Sequence, residues 1–200
     1  MDKERFEKQI AFILEADKEK NILRQTHLSG GGRRENDAEH AWHMAVMVYL
    51  LREYANEDFD LARAMMMALI HDVVEIDAGD TYAYDTEAKA TQAEREAMAA
   101  ERIFGILPSD QKEELYSLFR EFEECSTPES KFAHAMDNFQ PLLLNDSNDG
   151  ADWIEHKVKR SQVTERQKKS ALGAREIWEY SLGLIEKNVE RGNIIDDAEK

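Results

Sequence analysis

The chain has 200 residues and a mass of 23.1 kDa, with 26 Lys+Arg against 42 Asp+Glu for a formal net charge of −16. A chain of this length buries roughly 70% of its unfolded surface, so it needs no disulfide or structural metal to fold. The charge argues against nucleic acid and anionic membrane as main partners, since each would meet like charge. A small phosphorylated molecule stays admissible, because a cation and an arginine reverse the sign locally. Cys125 is the single cysteine, which excludes an intrachain disulfide and any cysteine-based zinc cluster.

The N-terminus, Met1-Asp2-Lys3-Glu4-Arg5, lacks the apolar stretch of a signal peptide. The longest apolar runs, 44–51 and 65–70, fall far short of the roughly 20 residues that span a bilayer. Both features predict a soluble, cytoplasmic protein. Three prolines and no alternating β-branched runs predict an all-α fold, a single-domain helical bundle over residues 1–200.

In chain order, residues 2 to about 25 read as a helix with Phe6, Ile10, Ile13 and Leu14 on one face. A loop follows, Ser29-Gly30-Gly31-Gly32-Arg33-Arg34. Asn36 and Glu39 have the spacing of a capping box and open a helix to about Ala55. Its stretch from Met44 to Leu51 is apolar all round, which predicts a central, buried helix. The short connection Asn56–Asp60 makes the next helix, through Leu61, Met65, Leu69 and Ile70, its antiparallel neighbour. An irregular stretch, 80–85, precedes an alanine-rich helix from about Thr86 to Phe104. Pro108-Ser109 starts another, carrying Leu115, Leu118, Phe119 and Phe122. Thr127-Pro128 opens a helix to about Asn145. A long amphipathic helix from Thr164 to about Arg191 and a frayed tail complete a C-terminal segment over about 161–192.

The informative dipeptide is His71-Asp72, at the end of an apolar helix. Adjacent helical residues point about 100° apart, so the pair supplies two ligands and needs partners from elsewhere. His40 and His71 lie almost symmetrically about the Asn56–Asp60 turn, each about 22 Å from it at 1.5 Å per residue. Antiparallel packing therefore brings them to one level. Glu75 shares their face if the helix continues, and Gly79-Asp80 can present Asp80 above it. Asp137 sits among Phe132, Met136, Phe139 and Leu142, with Pro141 four residues on predicting a kink. Singly, each of these residues reads as ordinary: a hydrogen-bonded core histidine, a salt-bridged acid, a solvated acidic loop. Together, two histidines and an aspartate are costly to bury without a shared cation. Geometry alone leaves a metal site and a set of ordinary buried groups equally open.

Glu39-His40, His71-Asp72 and Asp137, in their surroundings Arg33-Arg34-Glu35-Asn36-Asp37-Ala38-Glu39-His40-Ala41-Trp42 and Leu69-Ile70-His71-Asp72 with Glu75 and Gly79-Asp80, form a four-part pattern. It resembles the H…HD…D signature of the HD-domain metal-dependent phosphohydrolases, in particular the small 5′-deoxynucleotidase-like branch, over about residues 20–160. The resemblance implies an HD-type helical domain with His40, His71, Asp72 and Asp137 as metal ligands. It implies Glu75 and Asp80 as the acidic catalytic pair and Arg24 as the phosphate-binding arginine. Where the best-studied bacterial branch has a tryptophan next to this arginine, Gln25 stands here, which puts deoxyribose selectivity in doubt.

The activity implied is phosphomonoester hydrolysis of (deoxy)ribonucleoside 5′-monophosphates by a metal-activated water. Hydrolysis of another small phosphate ester or a diphosphate, and nucleotide binding without turnover, are the alternatives. Two imidazoles and two carboxylates leave positions for water on a six-coordinate divalent ion, favouring Mn, Co, Fe or Ni, with Mg and Zn behind. The implied partner is a small phosphorylated substrate, with no nucleic acid or membrane and with room for a homodimer. Among the remaining residues, His43 reads as supporting or packing rather than ligating. His27, His134 and His156 read as ordinary. The glycine-rich loop reads as a flexible rim from which Arg33 or Arg34 reaches substrate. Met65-Met66-Met67 reads as core, and Trp42 as a wall near His40.

Overall fold

In the computed structural model, which describes residues 1–83 and 90–198, the chain opens with α1 (Lys3–Ala16), capped by Asp2 accepting from the Arg5 amide at 3.1 Å. The helix expected to reach residue 25 stops here. A 3₁₀ turn, Asp17–Asn21, leads into strand β1 (Leu23–His27), which pairs antiparallel with β2 (Arg34–Asn36). The connection explains the difference: Gly30, Gly31 and Gly32 take φ of 83°, 82° and 98°, a region glycine enters without a Cβ clash. The Leu28 amide closes that loop on the Arg33 carbonyl at 3.1 Å. The fold is therefore all-α with one short hairpin. The predicted inner face of α1 is also corrected, because Ile13 and Leu14 are 61% and 65% exposed. The helix instead turns Phe12 and Ala16 inward, and Phe12 stacks on Phe104 at 6.3 Å.

Helix α2 (Asp37–Leu50) carries the expected capping box of Asn36 and Glu39. It ends before Ala55, giving way to a 3₁₀ turn, Arg52–Tyr54. Met44, Ala45, Met47 and Val48 are buried, but Tyr49 and Leu50 face outward, so the helix is half covered rather than enclosed. Asp60 caps α3 (Leu61–Ile70), which packs along α2. Of the methionine run, Met67 is buried and Met66 is exposed.

After α3 the backbone tightens into a 3₁₀ turn, His71–Val74, then a single turn α4 (Glu75–Ala78) ending on Gly79 at φ 75°. Next comes α5 (Gln92–Phe104); its expected start at Thr86, and the end of the irregular stretch, lie outside the described residues. Pro108 precedes α6 (Ser109–Glu124), and Thr127 with Ser130 forms a capping box on α7 (Pro128–Ser147). That helix runs through Pro141 without a break.

The chain closes with α8 (Ala151–Glu155), α9 (Arg160–Lys168), a 3₁₀ turn at Lys169–Leu172, and α10 (Arg175–Glu190). The expected continuous helix from Thr164 to Arg191 is broken at Gly173, whose backbone presses so close to α7 that a Cβ would lie 2.1 Å from the Lys131 carbonyl oxygen. Asn56 stitches the break. It donates to the Ala171 and Leu172 carbonyls at 2.9 and 3.0 Å, and its side-chain oxygen accepts from the Arg175 amide at 2.9 Å. The tail does not fray at once either, since Ile194 is buried and the Arg160 amide donates to the Ile195 carbonyl at 2.8 Å. A core running from Met44 to Ile194 joins these helices, and no helix among the described residues is long and apolar enough to cross a membrane.

Candidate metal centre

Three helical segments and the hairpin converge on one point. α2 supplies His40 from its first turn, and the 3₁₀ turn after α3 supplies His71 and Asp72. α7 supplies Asp137 and Gln140, β1 supplies Arg24 and β2 supplies Glu35. The imidazoles of His40 and His71 lie 5.6 Å apart between centroids, so the pairing of α2 with α3 brings them to one level.

His40 Nδ1 donates to the Gln140 side-chain oxygen at 3.0 Å, and His71 Nδ1 donates to the Ala68 carbonyl at 3.0 Å. Both Nε2 atoms are therefore left to face carboxylates. His40 Nε2 is 3.2 Å from Asp137 Oδ1 and 3.9 Å from Asp72 Oδ2. His71 Nε2 is 3.1 Å from Asp72 Oδ1 and 3.9 Å from Asp137 Oδ1, and it is buried without a hydrogen-bond partner. One donor atom from each of His40, His71 and Asp72 lies within 4.8 Å of the others. When the imidazoles give up their Nε2 protons, these lone pairs and anionic oxygens converge on one point, as ligands of a shared cation do. The donor set fits a divalent ion.

Arg24 is the buried arginine of the cluster, and its Nη1 donates to Asp72 Oδ2 at 2.7 Å and Asp37 Oδ1 at 3.2 Å. Burial alone would lower the Arg24 pKa, but Asp72, Glu75 and Asp37 outweigh it and hold the guanidinium charged. Burial pushes His40 down to about 4, with Arg24 adding to the effect. His71 is pushed down by burial but held up at about 9 by the Asp72 carboxylate. Asp72 itself is lowered, because His71 and Arg24 overcome its burial.

Glu75 lies deep, 6% exposed; burial, with Asp72 and Asp37 nearby, pushes its carboxyl up to about 12. Asp80 is raised by burial but remains half-buried beyond Gly79. Both line a cavity of about 840 Å³, as do Arg24, Gln25, Asp72 and Asp137. The arrangement can hold a cation at its floor and an anion above it.

Arg166 of α9 lines the same cavity, where its charge acts on Asp137 and Asp80. Neither Arg166 nor Gln140 stands in a sequence pattern that singles it out, and Glu35 and Asp37 lie within the run before His40 without a mark that gives them a role. The hairpin was more legible, since three glycines between Arg-Gln-Thr and Arg-Glu-Asn are a turn flanked by extended segments.

Other expectations divide. Trp42 is 64% exposed and stacks on His43 at 6.0 Å, away from the cavity lining, so it is no wall. Arg33 is held by Glu39, with Nη1 donating to Oε2 at 2.8 Å. His43 Nδ1 accepts from the Gln140 amide at 3.1 Å, a supporting contact. His27 pairs with Asp152 at 2.6 Å and ties the hairpin to α8, while His134 Nε2 donates to the Phe122 carbonyl at 2.8 Å.

A family model for the HD domain matches residues 16–178. The crystal structure of a predicted metal-dependent phosphohydrolase from Magnetospirillum magnetotacticum MS-1 superposes with a TM-score of 0.91 at 45% identity, covering 95% of each chain. Among curated relatives, the human 5′-deoxynucleotidase HDDC2 is 34% identical over 131 residues, 65% of this chain and 61% of that protein. The 5′-deoxynucleotidase hdd1 of Schizosaccharomyces pombe is 30% identical over 112 residues, 54% of this chain and 55% of its own. The chain thus spans little more than half the length of the curated relatives it matches. The likeness to a metal-dependent enzyme and the donor set together support a divalent metal.

Proposed function

The chain belongs to the HD-domain family, and from that premise we propose that it is a phosphomonoesterase, releasing phosphate from nucleoside 5′-monophosphates at a divalent ion held by His40, His71, Asp72 and Asp137. The observation that carries the reading is the pair of buried Nε2 atoms facing carboxylates at the floor of a cavity that also displays two arginines. Residues 1–200 act as one domain in this reading, in the cytoplasm, on a small substrate rather than nucleic acid or membrane; a homodimer is part of the same reading.

Two imidazoles and two carboxylates with room for water favour Mn, Co, Fe or Ni over a closed tetrahedral zinc site. When bound, such an ion supplies Lewis acidity toward phosphoryl oxygens and acidifies water. Glu75, the deeper, held protonated by its burial and by Asp72 and Asp37, orients the attacking water; Asp80, nearer the mouth, gives a proton to the leaving 5′-oxygen, and the water's protons stay with the released phosphate. Arg24 keeps Nη1 on Asp72 and turns its remaining N–H groups to the phosphate, while Arg166 meets it from α9.

A phosphate-release screen of nucleotides with Mn, Co, Ni and Mg tests the reading. Release from 5′-monophosphates, with little from 3′-monophosphates, is expected. Release only from other phosphate esters or diphosphates would move the substrate class. Tight nucleotide binding with no release under any ion would make the chain a binding module.

A further inference from the structure

Gln140 is fully buried on α7, and its amide is oriented by what surrounds it. Nε2 donates to Glu35 Oε1 at 2.7 Å and to His43 Nδ1 at 3.1 Å. Rotating the amide by half a turn would aim its oxygen at those two acceptors and lose both hydrogen bonds. The oxygen is thereby fixed on His40 Nδ1, at 3.0 Å, and an amide oxygen can only accept.

His40 has two sites for its proton. On Nδ1 it bonds Gln140, and Nε2 keeps a free lone pair among Asp72, Asp137 and His71. On Nε2 it would bond Asp137 Oδ1, 3.2 Å away, and the lone pair a cation needs would be gone. Asp137, an anion, is the stronger attraction in isolation. From this geometry we propose that Gln140 is the positioning residue of the centre, holding His40 in the Nδ1–H form so that Nε2 stays open to the ion. Glu35 and His43 hold Gln140 in turn. The inference deepens the phosphohydrolase reading and rests on its assignment of His40 as a ligand. A ligating histidine normally has its other nitrogen fixed by an outer partner; here the partner is an amide 100 residues away in the chain, itself clamped by a buried acid.

Imidazole ¹⁵N–¹H spectra of the metal-free protein, with Mn²⁺ titration by calorimetry, test this. Wild type is expected to carry the His40 proton on Nδ1. Gln140→Met should move it toward Nε2 and weaken Mn²⁺ binding by about 10–100-fold. Gln140→Glu restores an acceptor but not the donors, and should return His40 to Nδ1–H. A wild-type spectrum with the proton on Nε2 overturns the proposal, and so does a folded Gln140→Met with unchanged tautomer and Mn²⁺ affinity. If Gln140→Met does not fold, the wild-type and Gln140→Glu spectra still decide. Wild type that takes up no Mn²⁺ or other divalent ion while holding Nδ1–H would remove the phosphohydrolase reading and, with it, any role for the tautomer in metal binding.

Discussion

Arg24 Nη1 lies 2.7 Å from Asp72 Oδ2, so the arginine nominated for phosphate already holds the aspartate nominated for metal. One guanidinium thus offsets part of the negative charge at the floor of the cavity that it also lines. The hairpin that carries it is a structural part of the centre, since β1 delivers Arg24 and β2 delivers Glu35.

The two arginines should separate by their variants. Arg24→Met leaves Asp37 buried without a counter-charge and Asp72 with His71 alone, and should destabilise the metal-free protein by about 3–5 kcal/mol in urea unfolding. Arg166→Ala should leave melting temperature and ion content unchanged but raise KM for a nucleoside monophosphate about tenfold. An unchanged KM would take Arg166 out of the substrate site.

Asp72→Ala should abolish stoichiometric ion uptake, which in wild type is expected at one divalent ion per chain by elemental analysis. Stripping wild type with a chelator should lower its melting temperature, because the ion binds only the folded state. Equal ion content in wild type and Asp72→Ala would refute the ligand assignment.

Glu75→Gln should keep the ion and lose turnover by roughly 10²–10⁴-fold, the usual contribution of a positioned acid or base. Loss of the ion in this variant would instead make Glu75 a ligand.

Gln25 lines the cavity beside Arg24, at the position where the family resemblance implies a sugar-contacting tryptophan in the best-studied bacterial branch. An apolar wall that merely crowds a hydroxyl discriminates by about 10²-fold at most. The kcat/KM ratio for dAMP over AMP should therefore be modest in wild type and rise in Gln25→Trp. A strong deoxy preference in wild type would assign the 2′ position to another side chain.

Glu19 is buried in the turn after α1 with Oε1 unpartnered, and burial, then the nearby Asp72, push its carboxyl up to about 8. Between the ordinary value of 4.5 and this one, the folded chain keeps a proton that the unfolded chain releases. The contribution of this group to stability therefore falls as pH rises through that window. In metal-stripped protein, Glu19→Gln should raise the melting temperature more at about pH 7.5 than at about pH 5. A gain equal at both would show that the carboxyl is ionised throughout.

What the sequence determined by itself was local or patterned. The Asn36–Glu39 capping box and the Thr127-Pro128 cap act between near neighbours, and the apolar spacing of α2 and α3 sufficed to pair His40 with His71. The HD-type pattern then marked Asp137, Glu75 and Asp80 for the same cavity. Tertiary structure alone decided the rest. Residues 17–21 are compatible with helix, and the chain leaves it because Arg24 finds Asp72, 48 residues on, while β1 finds β2. Gln140 has no mark in sequence; its role exists only because Glu35 lies against it from 105 residues away. The long C-terminal helix reads as continuous until Gly173 meets the Lys131 carbonyl. Caps and periodicity are energies between near neighbours, whereas a buried ion pair or a clamped amide gains its energy from excluding water between distant segments, and that exclusion is settled only when the chain has packed.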